Sequence, residues 1–578
     1  MVQIIATTEN GDHVSLDILH GSTFALEMNQ PFLDTERVPV PYSTNISLPP
    51  TTTNKRAFGY VPAYMLEPLI KEAEAVILLN GITIAIGVLT YAGIDDGNLQ
   101  YAFAGKNMPD EWDRKIWDPT ESLISTIETQ YPASSARYPV GHIPIGEYIS
   151  YPPIINKSFV DTPYAVGNIG GRYFNYNAYD AYSLALFPGY ANGGRYLCPA
   201  FGIWQIVRHA VGGALEISSR LQTFLSGLRI LGPYNTFLQG CYISDGPPPS
   251  SHDMTGEEYN RIGIKRIYNT LPDLTTGELF KNILYASGES LFRDGAGYVT
   301  KSWEDIVASS AFDLSYKISD IFSSSIEPAK NYALSYNEED NGKMPHVTPS
   351  KYNSISQLLS ATQTPGQDDN YHLVSHRTLG DVYSIDGYTH RFTNGRLSVG
   401  ELKYRRPGAV PSGDKSTETF AIEISMTPVQ CMPDMLPQRK YVAGGYSDDT
   451  VPRIHPVIDP IEADAERGKK AYIGRYKDYQ MVDKGVIVNT ANNSSDETIG
   501  ESLTIDTLFS NHHTNFAEWM SKDHQVIKAD LNLTAMELAE LRLYNKALFA
   551  NRYWLIKKIS LTIEESGRIQ TTGEFVSL

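Results

Sequence analysis

The sequence predicts a mixed α+β protein dominated by β-strands. Short apolar runs between Gly- and Asn-containing turns fill the first hundred residues and recur in the C-terminal tail, while only a few segments have helical periodicity. Hydrophobic residues make up 42% of the 578 residues, enough to form sizeable cores, so a largely disordered chain is excluded. At about 150 residues per domain, the length predicts about three or four domains.

The first hundred residues are predicted to form a small β-barrel or sandwich. Early strands are expected at Val2–Thr7, Val14–Ile18 and Phe24–Met28. The clearest hairpin pairs Ala75–Leu79 with Ile82–Ile86 around Asn80-Gly81, the preferred sequence of a two-residue type I′ turn. A helix is predicted from Pro62 to Glu74, in which Pro68 introduces a kink or delays the start.

Further along the chain, helices are expected at a small number of places. The helical segments are Phe201–Val211, a segment capped by Thr275 or Thr276, a turn from Ser302, and Thr534–Leu541. Strands are predicted at Thr419–Met426, Tyr553–Lys557, Ile559–Ile563 and Gly573–Leu578. Residues 107–197 are rich in Tyr, Pro, Gly and Asn, which predicts a long insertion with little regular structure. Its aromatic side chains are expected to pack, with sugar stacking or contact with a neighbouring subunit as alternatives.

Charge and cysteine content narrow the functional class. Lys and Arg number 48 against 66 Asp and Glu, a formal charge of −18, which disfavours a generic nucleic-acid coat or docking on an anionic membrane. The cysteines Cys198, Cys241 and Cys431 are far apart, which fits a reducing compartment and predicts neither a disulfide framework nor a zinc site. No secretory signal is evident, and the apolar run Ala75–Leu89 is too short to span a bilayer. We therefore expect a soluble protein made inside a cell.

No motif in the sequence predicts catalysis. Phosphate-loop, HExxH, GxSxG, EF-hand and zinc patterns are missing, so no catalytic, cofactor-binding or metal-binding residue is predicted. The side chains of the adjacent His512-His513 diverge, which is poor geometry for binding one metal ion, so they are expected to be ordinary surface histidines. Asp95-Asp96-Gly97 is expected to be a turn rather than a calcium loop. The pairs Glu564-Glu565 and Asp368-Asp369 are interpreted as solvated charge, although a glycosidase-type pair elsewhere stays open.

Four segments together resemble the baseplate hub (tail hub) proteins of tailed bacteriophages, of the type found in Bacteroidetes phages and prophages. The first joins YSTNISLPPTTTNKRAFGY (Tyr42–Tyr60) to AEAVILLNGITIAIGVL (Ala73–Leu89). The others are CPAFGIWQIVRHAVGGALEIS (Cys198–Ser218), LPDLTTGELFKNILYASGESLF (Leu271–Phe292) continued by Ser302–Ile318, and RYWLIKKISLTIEESGRIQTTGEFVSL (Arg552–Leu578). Each segment is weak alone, but they occur in the order of the family. They cover a quarter to a third of the chain.

The resemblance implies two small β-barrel hub domains with inserted α/β and loop-rich segments. The domains it suggests are a barrel at 1–106, the Tyr/Pro/Gly-rich insertion at 107–198, an α+β middle domain at 199–336 and a second barrel region at 337–578. It also implies a homotrimer that joins a sixfold tail tube to a threefold tip and lines the DNA exit channel. The virion tail would be its location, after synthesis in the bacterial cytoplasm.

The partners implied by the resemblance are other tail proteins. They are the tail tube or distal tail protein, a tip or spike protein, and the tape measure protein as a further candidate. DNA would pass without specific binding, which an acidic channel wall would favour. No enzymatic activity, cofactor or stable membrane insertion is implied. Two alternatives stay open: a tail-tip receptor-binding protein that grips host glycans, and a carbohydrate- or peptidoglycan-cleaving enzyme.

Overall fold

The fold is known from a computed structural model, which describes part of the chain. The described residues are 2–8, 11–39, 43–59, 70–105, 111–130, 147–150, 152, 154–156, 173–174, 198–212, 215–234, 264–265, 267–294, 297–336, 390–393, 396–399, 418–442, 445–458, 468–477, 480–482, 486–487, 497–498 and 500–578. Most of the predicted insertion and of the stretch 340–500 lies outside these ranges, and so does Asp368-Asp369.

The strands, in chain order, are β1 Val2–Thr7, β2 His13–Leu16, β3 Thr23–Asn29, β4 Ser43–Leu48, β5 Glu72–Leu79, β6 Ile82–Asp95, β7 Asn98–Gly105, β8 Ile149–Ser150, β9 Ile154–Asn156, β10 Tyr173–Phe174, β11 Ala200–Gly202, β12 Leu215–Glu216, β13 Leu228–Leu231, β14 Glu289–Asp294, β15 Gly297–Ser302, β16 Ala311–Asp313, β17 Ile318–Glu327, β18 Asn331–Tyr336, β19 His390–Thr393, β20 Arg396–Val399, β21 Thr419–Ile424, β22 Met426–Pro428, β23 Gln430–Val442, β24 Gly445–Ile458, β25 Ala471–Lys477, β26 Gln480–Val482, β27 Val486–Ile487, β28 Glu497–Thr498, β29 His524–Leu531, β30 Lys546–Phe549, β31 Arg552–Glu564 and β32 Ile569–Ser577. The helices are α1 Thr52–Ala57, α2 Glu121–Gln130, α3 Ile203–Val211, α4 Ser219–Leu225, α5 Thr276–Ser287, α6 Trp303–Ala308, α7 Ile505–His512, α8 Thr514–Met520 and α9 Ala535–Glu540, with a 3₁₀ turn at Pro31–Leu33.

The first sheet contains the N-terminal strands in the antiparallel order β2-β1-β5-β6-β7-β4. The predicted hairpin is confirmed: Leu79 pairs with Ile82, and Asn80 and Gly81 have φ of 51° and 82°, as a type I′ turn requires. The sheet curls, so that the N–H of Leu19, just beyond β2, donates to the carbonyl of Ser47 in β4 at 3.4 Å. The result is a half-barrel whose two edges approach each other.

The second sheet contains mainly C-terminal strands, in the order β16-β30-β31-β32-β29-β17. Strand β3 also joins it, with Thr23 opposite Glu564 and Asn29 opposite Lys558. One apolar core links the two sheets, because Leu26 of β3 and Trp554 of β31 belong to the same cluster of buried side chains as Ile4 of β1. The two half-barrels therefore share a core.

This architecture confirms the predicted fold class, a mixed α+β protein dominated by strands, with two curled half-barrel sheets. Strand pairing also crosses the proposed domain limits, because β3 lies in the first predicted domain and β16 and β17 lie in the predicted middle domain. The boundaries at 106, 198 and 336 stay predictions.

A mixed unit with a second core is formed by segments of the chain that lie between the strands of the two half-barrels. It includes a sheet ordered β22-β25-β13-β11-β8, a smaller sheet β12-β15-β14, and helices α2, α3, α5, α7 and α8. Helix α5 begins at the predicted N-cap: the Thr275 hydroxyl accepts from the Glu278 N–H, and the Glu278 carboxylate accepts from the Thr275 N–H. Helix α6 begins with the same arrangement at Ser302 and Asp305.

One local prediction is wrong, and a helix occurs in a segment that is predicted to have little regular structure. The end of the predicted helix Pro62–Glu74 is a strand from Glu72, in which exposed and buried residues alternate; residues 60–69 lie outside the described part. Pairing with β1 and β6 on both sides outweighs the helical periodicity. The predicted irregular insertion contains helix α2, whose Leu123, Ile124 and Ile127 are buried in the second core.

A long hairpin, β23 with β24, lies in the region to which the sequence assigned no structure. Its register places Pro433, Pro437, Pro452 and Pro456 in four cross-strand pairs, and these pairs alternate with pairs that contain no proline. Alternate pairs of an antiparallel ladder point their N–H groups outward, so prolines can occupy those pairs without removing a ladder hydrogen bond. The prolines therefore leave the hairpin intact and remove donors from its outer edges.

Candidate functional site

The two adjacent histidines are buried, so the prediction that they lie on the surface is wrong. His512 ends helix α7 and is 8% exposed, and His513, between α7 and α8, is 1% exposed. The two helices pack against the middle unit, and each ring finds polar partners there. Adjacent side chains do diverge, as expected, but both directions lead into protein rather than into solvent.

His512 links three elements through charged groups. The Arg220 Nε donates to His512 Nδ1 at 3.0 Å, so Nδ1 is an acceptor and the ring proton lies on Nε2, which contacts the Glu501 carboxylate. Arg220 also pairs with Glu304 at 2.6 Å. Burial alone would raise the pKa of Glu501, but the hydrogen bonds that it accepts, above all from His512, hold it below its usual value. This network fastens α7 to α4 and α6.

His513 lies beside a buried arginine in an aromatic cage. The His513 Nδ1 is 2.7 Å from the Tyr332 hydroxyl, which also accepts from Arg37 at 3.4 Å. The Arg37 guanidinium lies 4.6 Å from the centre of the Phe32 ring and 4.8 Å from that of Phe516. Burial, with the charge of Arg37, lowers the pKa of His513 well below its usual value, so the ring is neutral. The arrangement suits a structural role.

The other carboxylate motifs also have structural surroundings. Asp95-Asp96-Gly97 forms the turn between β6 and β7, as predicted, with Asp96 and Gly97 at positive φ. Glu565 contacts His20 at 2.9 Å on the surface. Within the described ranges, no group of three or more His, Cys, Asp or Glu side chains is arranged to hold a metal ion.

The edge strand β17 displays an apolar surface that the sequence did not predict. Ile321, Phe322 and Ile326 are 47%, 52% and 66% exposed, although β17 ends the second sheet. Its register with β29 shifts between Ile318 and Asp320 and again between Ile321 and Ser323. Such bulges interrupt the regular row of backbone groups that would recruit another strand. The side chains, rather than the backbone edge, are therefore the accessible feature.

Two further exposed apolar side chains lie near the start of β17. Tyr316 is 94% exposed and Met536, at the start of α9, is 63% exposed. Lys317 joins the two segments through an ion pair with Glu537 at 2.5 Å. We call Tyr316, Ile321, Phe322, Ile326 and Met536 the edge patch. A hint in the sequence is the Ile321-Phe322 doublet, which breaks the alternation of a half-buried strand.

A second exposed surface lies at the start of β31. A shallow groove of about 380 Å³ is lined by Val307, Lys546, Arg552, Tyr553, Ser577 and Leu578. The Lys546 Nζ donates to the Val307 carbonyl at 2.7 Å and lies 4.6 Å from the centre of the Tyr553 ring. Arg552 is exposed and, like Lys546, forms no ion pair among the described residues. We call this the cationic groove.

The outer face of the second sheet carries alternating charges. Lys557 contacts Glu327 and Glu574, each at 3.0 Å, and Lys528 also contacts Glu574 at 3.2 Å. A register shift between Ile556 and Lys558 places two lysines beside Glu574. Lys558 in turn pairs with Glu27 of β3. Opposite charges balance along this face.

A cavity of about 350 Å³ lies where the half-barrels and the middle unit meet. Ile84, Leu541 and Leu561 from the two sheets and α9 line it, together with Phe292 and Arg293 of β14. The cavity is mainly apolar, and Arg293 donates to the Ile86 carbonyl at 3.4 Å. It marks the seam between the units.

Comparison with known proteins adds little beyond this geometry. No protein-family model matches the chain, and no curated protein matches it. Among solved structures, it is similar to the 43 kDa tail protein of prophage MuSo2 from Shewanella oneidensis, with 8% identity, a TM-score of 0.30 and coverage of 100% of this chain and 98% of that one. It is also similar to the tail protein from Neisseria meningitidis MC58, with 7% identity, a TM-score of 0.30 and coverage of 100% and 96%. Similarity at this level does not define a shared fold.

In the part of the chain that the structure describes, no helix combines the length and apolarity needed to cross a bilayer.

Proposed function

We propose that this chain is a structural protein of a bacteriophage tail, a homotrimeric hub that joins the sixfold tail tube to a threefold tip. The proposal rests first on the four ordered segments that resemble tail hub proteins. All four coincide with elements of the fold: the first with β4, α1, β5 and β6, the second with α3, the third with α5, β14 and α6, and the last with β31 and β32.

The observation that carries the proposal is the edge patch on the second half-barrel. Tyr316 and Phe322, 94% and 52% exposed, together offer about 300 Å² of aromatic surface to a partner. One side of a stable interface buries about 800 Å², somewhat more than half of it apolar. A monomeric protein has little use for such side chains on an edge strand, whereas a subunit of a ring would cover them.

A channel role for the ring is consistent with its charge. The net charge of −18 favours passage of DNA without binding, provided that acidic residues face the channel. The charge-balanced outer face of the second sheet would attract phosphate weakly. This part of the proposal is tested by reversing charges on the channel wall, and unchanged DNA ejection would contradict it.

The experiment that tests the proposal is native mass measurement of the purified full-length chain, combined with class averages from electron microscopy. A particle of three chains with a central hole supports the hub. A compact monomer at every concentration, with saturable binding to host polysaccharide, would contradict it and support the receptor-binding alternative. Hydrolysis of a glycan that is abolished by changing one carboxylate would instead support an enzyme.

A further inference from the structure

We propose that the β6–β7 turn of one copy of this chain docks into the cationic groove of the next copy. The inference rests on the proposed homotrimer and identifies one contact that would hold its subunits together. It commits the groove to a single occupant, the segment Ile94-Asp95-Asp96 of a second copy. Ring closure needs such a contact between unlike surfaces, because head-to-tail pairing can close around an axis.

The turn has the chemistry of a ligand rather than of an ordinary surface loop. Ile94 is 41% exposed and presents an aliphatic side chain next to the tip of the hairpin. Asp95 and Asp96 follow it directly, both exposed, and form no ion pair among the described residues. The positive φ of Asp96 and of Gly97 makes the turn tight, so its three side chains have little freedom to lose on binding.

The groove offers the complementary features. Val307 and Tyr553, 43% and 52% exposed, provide apolar contact for an aliphatic side chain. Lys546 and Arg552 supply two positive charges at the same place, and the Lys546 ammonium has donors to spare beyond its bond to the Val307 carbonyl. An isoleucine followed by two aspartates therefore matches an apolar surface flanked by two cations. Opposite charges around an apolar centre also fix the register of docking.

The contact forms between copies because each chain leaves both surfaces uncovered. Ile94 lies in the first half-barrel and Tyr553 in the second, and each remains substantially exposed in the folded chain. Because the turn and the groove are both uncovered in one chain, the turn can bind the groove of one neighbouring copy while the groove binds the turn of another. The edge patch would add the area that a small polar contact lacks.

Disulfide trapping tests the contact directly. In the full chain with Cys198, Cys241 and Cys431 replaced by alanine, Ile94→Cys and Val307→Cys are combined, and the protein is oxidised near the concentration of assembly. We expect disulfide-linked dimers and trimers, and only monomers from either single variant. A disulfide within one chain, or dimers from a single variant, would overturn the inference.

A charge swap provides the second test, read as the trimer dissociation constant. Asp95→Lys and Arg552→Glu are each expected to weaken the trimer at least tenfold, and the double variant is expected to regain most of the loss. Asp113→Lys, an exposed change of the same sign in the middle unit, is the matched control. If the parent is a trimer that neither substitution weakens, this contact is wrong while the hub stands. If the parent is a monomer at every concentration, both proposals fail.

Discussion

The side-chain amide of Asn54 holds Asp17 by both of its backbone groups. The Asp17 N–H donates to Asn54 Oδ1 at 2.9 Å, and Asn54 Nδ2 donates to the Asp17 carbonyl at 2.8 Å. The same Nδ2 also donates to the Pro49 carbonyl at 2.8 Å. Because Asp17 follows β2 and Pro49 follows β4, this buried residue fastens together the two edges of the first half-barrel.

Replacing Asn54 with alanine should loosen that closure. Three part-buried hydrogen bonds to backbone groups would be lost, each worth about 0.5–1.5 kcal/mol, so we expect a loss of about 3 kcal/mol. Native-state hydrogen exchange of the β2 and β4 amides measures it, since local opening reports on this edge. Asn98→Ala, which removes an amide hydrogen bond to the Asp96 carbonyl on an exposed turn, should change little. Equal effects of the two variants would contradict the assignment.

Features determined by neighbouring residues could be predicted from the sequence. Asn80-Gly81 specifies its turn through the positive φ of both residues, and Thr275 with Glu278 specifies a helix start across three positions. The sequence does not predict the strand from Glu72, because pairing with β1 and β6 decides its conformation, although Glu and Ala alternate at its start.

Features that depend on distant contacts could not be predicted. Strand β3 pairs with residues more than 500 positions later, at Lys558–Glu564, and no local pattern indicates this. The burial of His512 and His513 is not predicted from the sequence, because their partners, Arg220 and Tyr332, are brought near only by folding. The edge patch has the same origin, since a strand becomes an edge only through the order of its sheet.

Gly288 should tolerate no side chain, unlike another glycine with similar backbone angles. It ends α5 with φ of +65°, and a Cβ built there would lie 2.3 Å from the His512 carbonyl oxygen. Gly21 has φ of +77° with open space around it. A left-handed alanine costs about 1–2 kcal/mol by itself, which we expect for Gly21→Ala. Gly288→Ala should cost more than about 3 kcal/mol, because the clash adds to that strain. Thermal unfolding compares them, and similar losses would contradict the close approach.

Arg37 and Arg475, two of the buried arginines, should respond in opposite ways to replacement by methionine. Arg37 has no carboxylate partner in the described part of the chain, and its Nη1 makes no hydrogen bond there. Arg37→Met should therefore leave stability unchanged or raise it by up to about 2 kcal/mol. Arg475 donates to the carbonyls of Phe224, Ser226 and Glu501, so Arg475→Met should cost about 3 kcal/mol. Urea unfolding monitored on the middle unit distinguishes them, and a large loss at Arg37 would show that its ring contacts outweigh its desolvation.

Charged substitutions on the edge patch should prevent assembly without unfolding the chain. Phe322→Lys and Ile326→Lys place a charge where a partner would need to bury apolar surface, so we expect association to weaken at least tenfold. Both side chains are more than half exposed, so the circular dichroism spectrum should not change. Gln3→Lys, an exposed change of the same kind on β1 in the other sheet, serves as the control in sedimentation. Unchanged association of both apolar variants would exclude the edge patch from the interface.

Acid should destabilise the fold through several paired carboxylates. The hydrogen bonds from Lys317 and Thr534 lower the pKa of Glu537 to about 2, and the pKa of Glu501 and of Glu304 also lies below the usual value, their burial being outweighed by hydrogen bonds. A carboxylate whose pKa is lower in the folded state adds stability that is complete above its unfolded pKa, about 4.3, and is lost as the pH falls towards the folded value. The melting temperature should therefore fall between about pH 5 and pH 2.

Two glutamine substitutions separate this effect from the opposite behaviour of a buried carboxyl group. Glu501→Gln can still accept the His512 hydrogen bond but cannot titrate, so its melting temperature should depend less on pH in the acid range than that of the parent. Burial raises the pKa of Glu289, which accepts from the Ser218 hydroxyl at 2.5 Å, so the folded state binds this proton more tightly and loses stability as the pH rises. The stability of Glu289→Gln relative to the parent should consequently be higher at pH 7 than at pH 4. If both variants kept the pH dependence of the parent, neither group would be linked to folding.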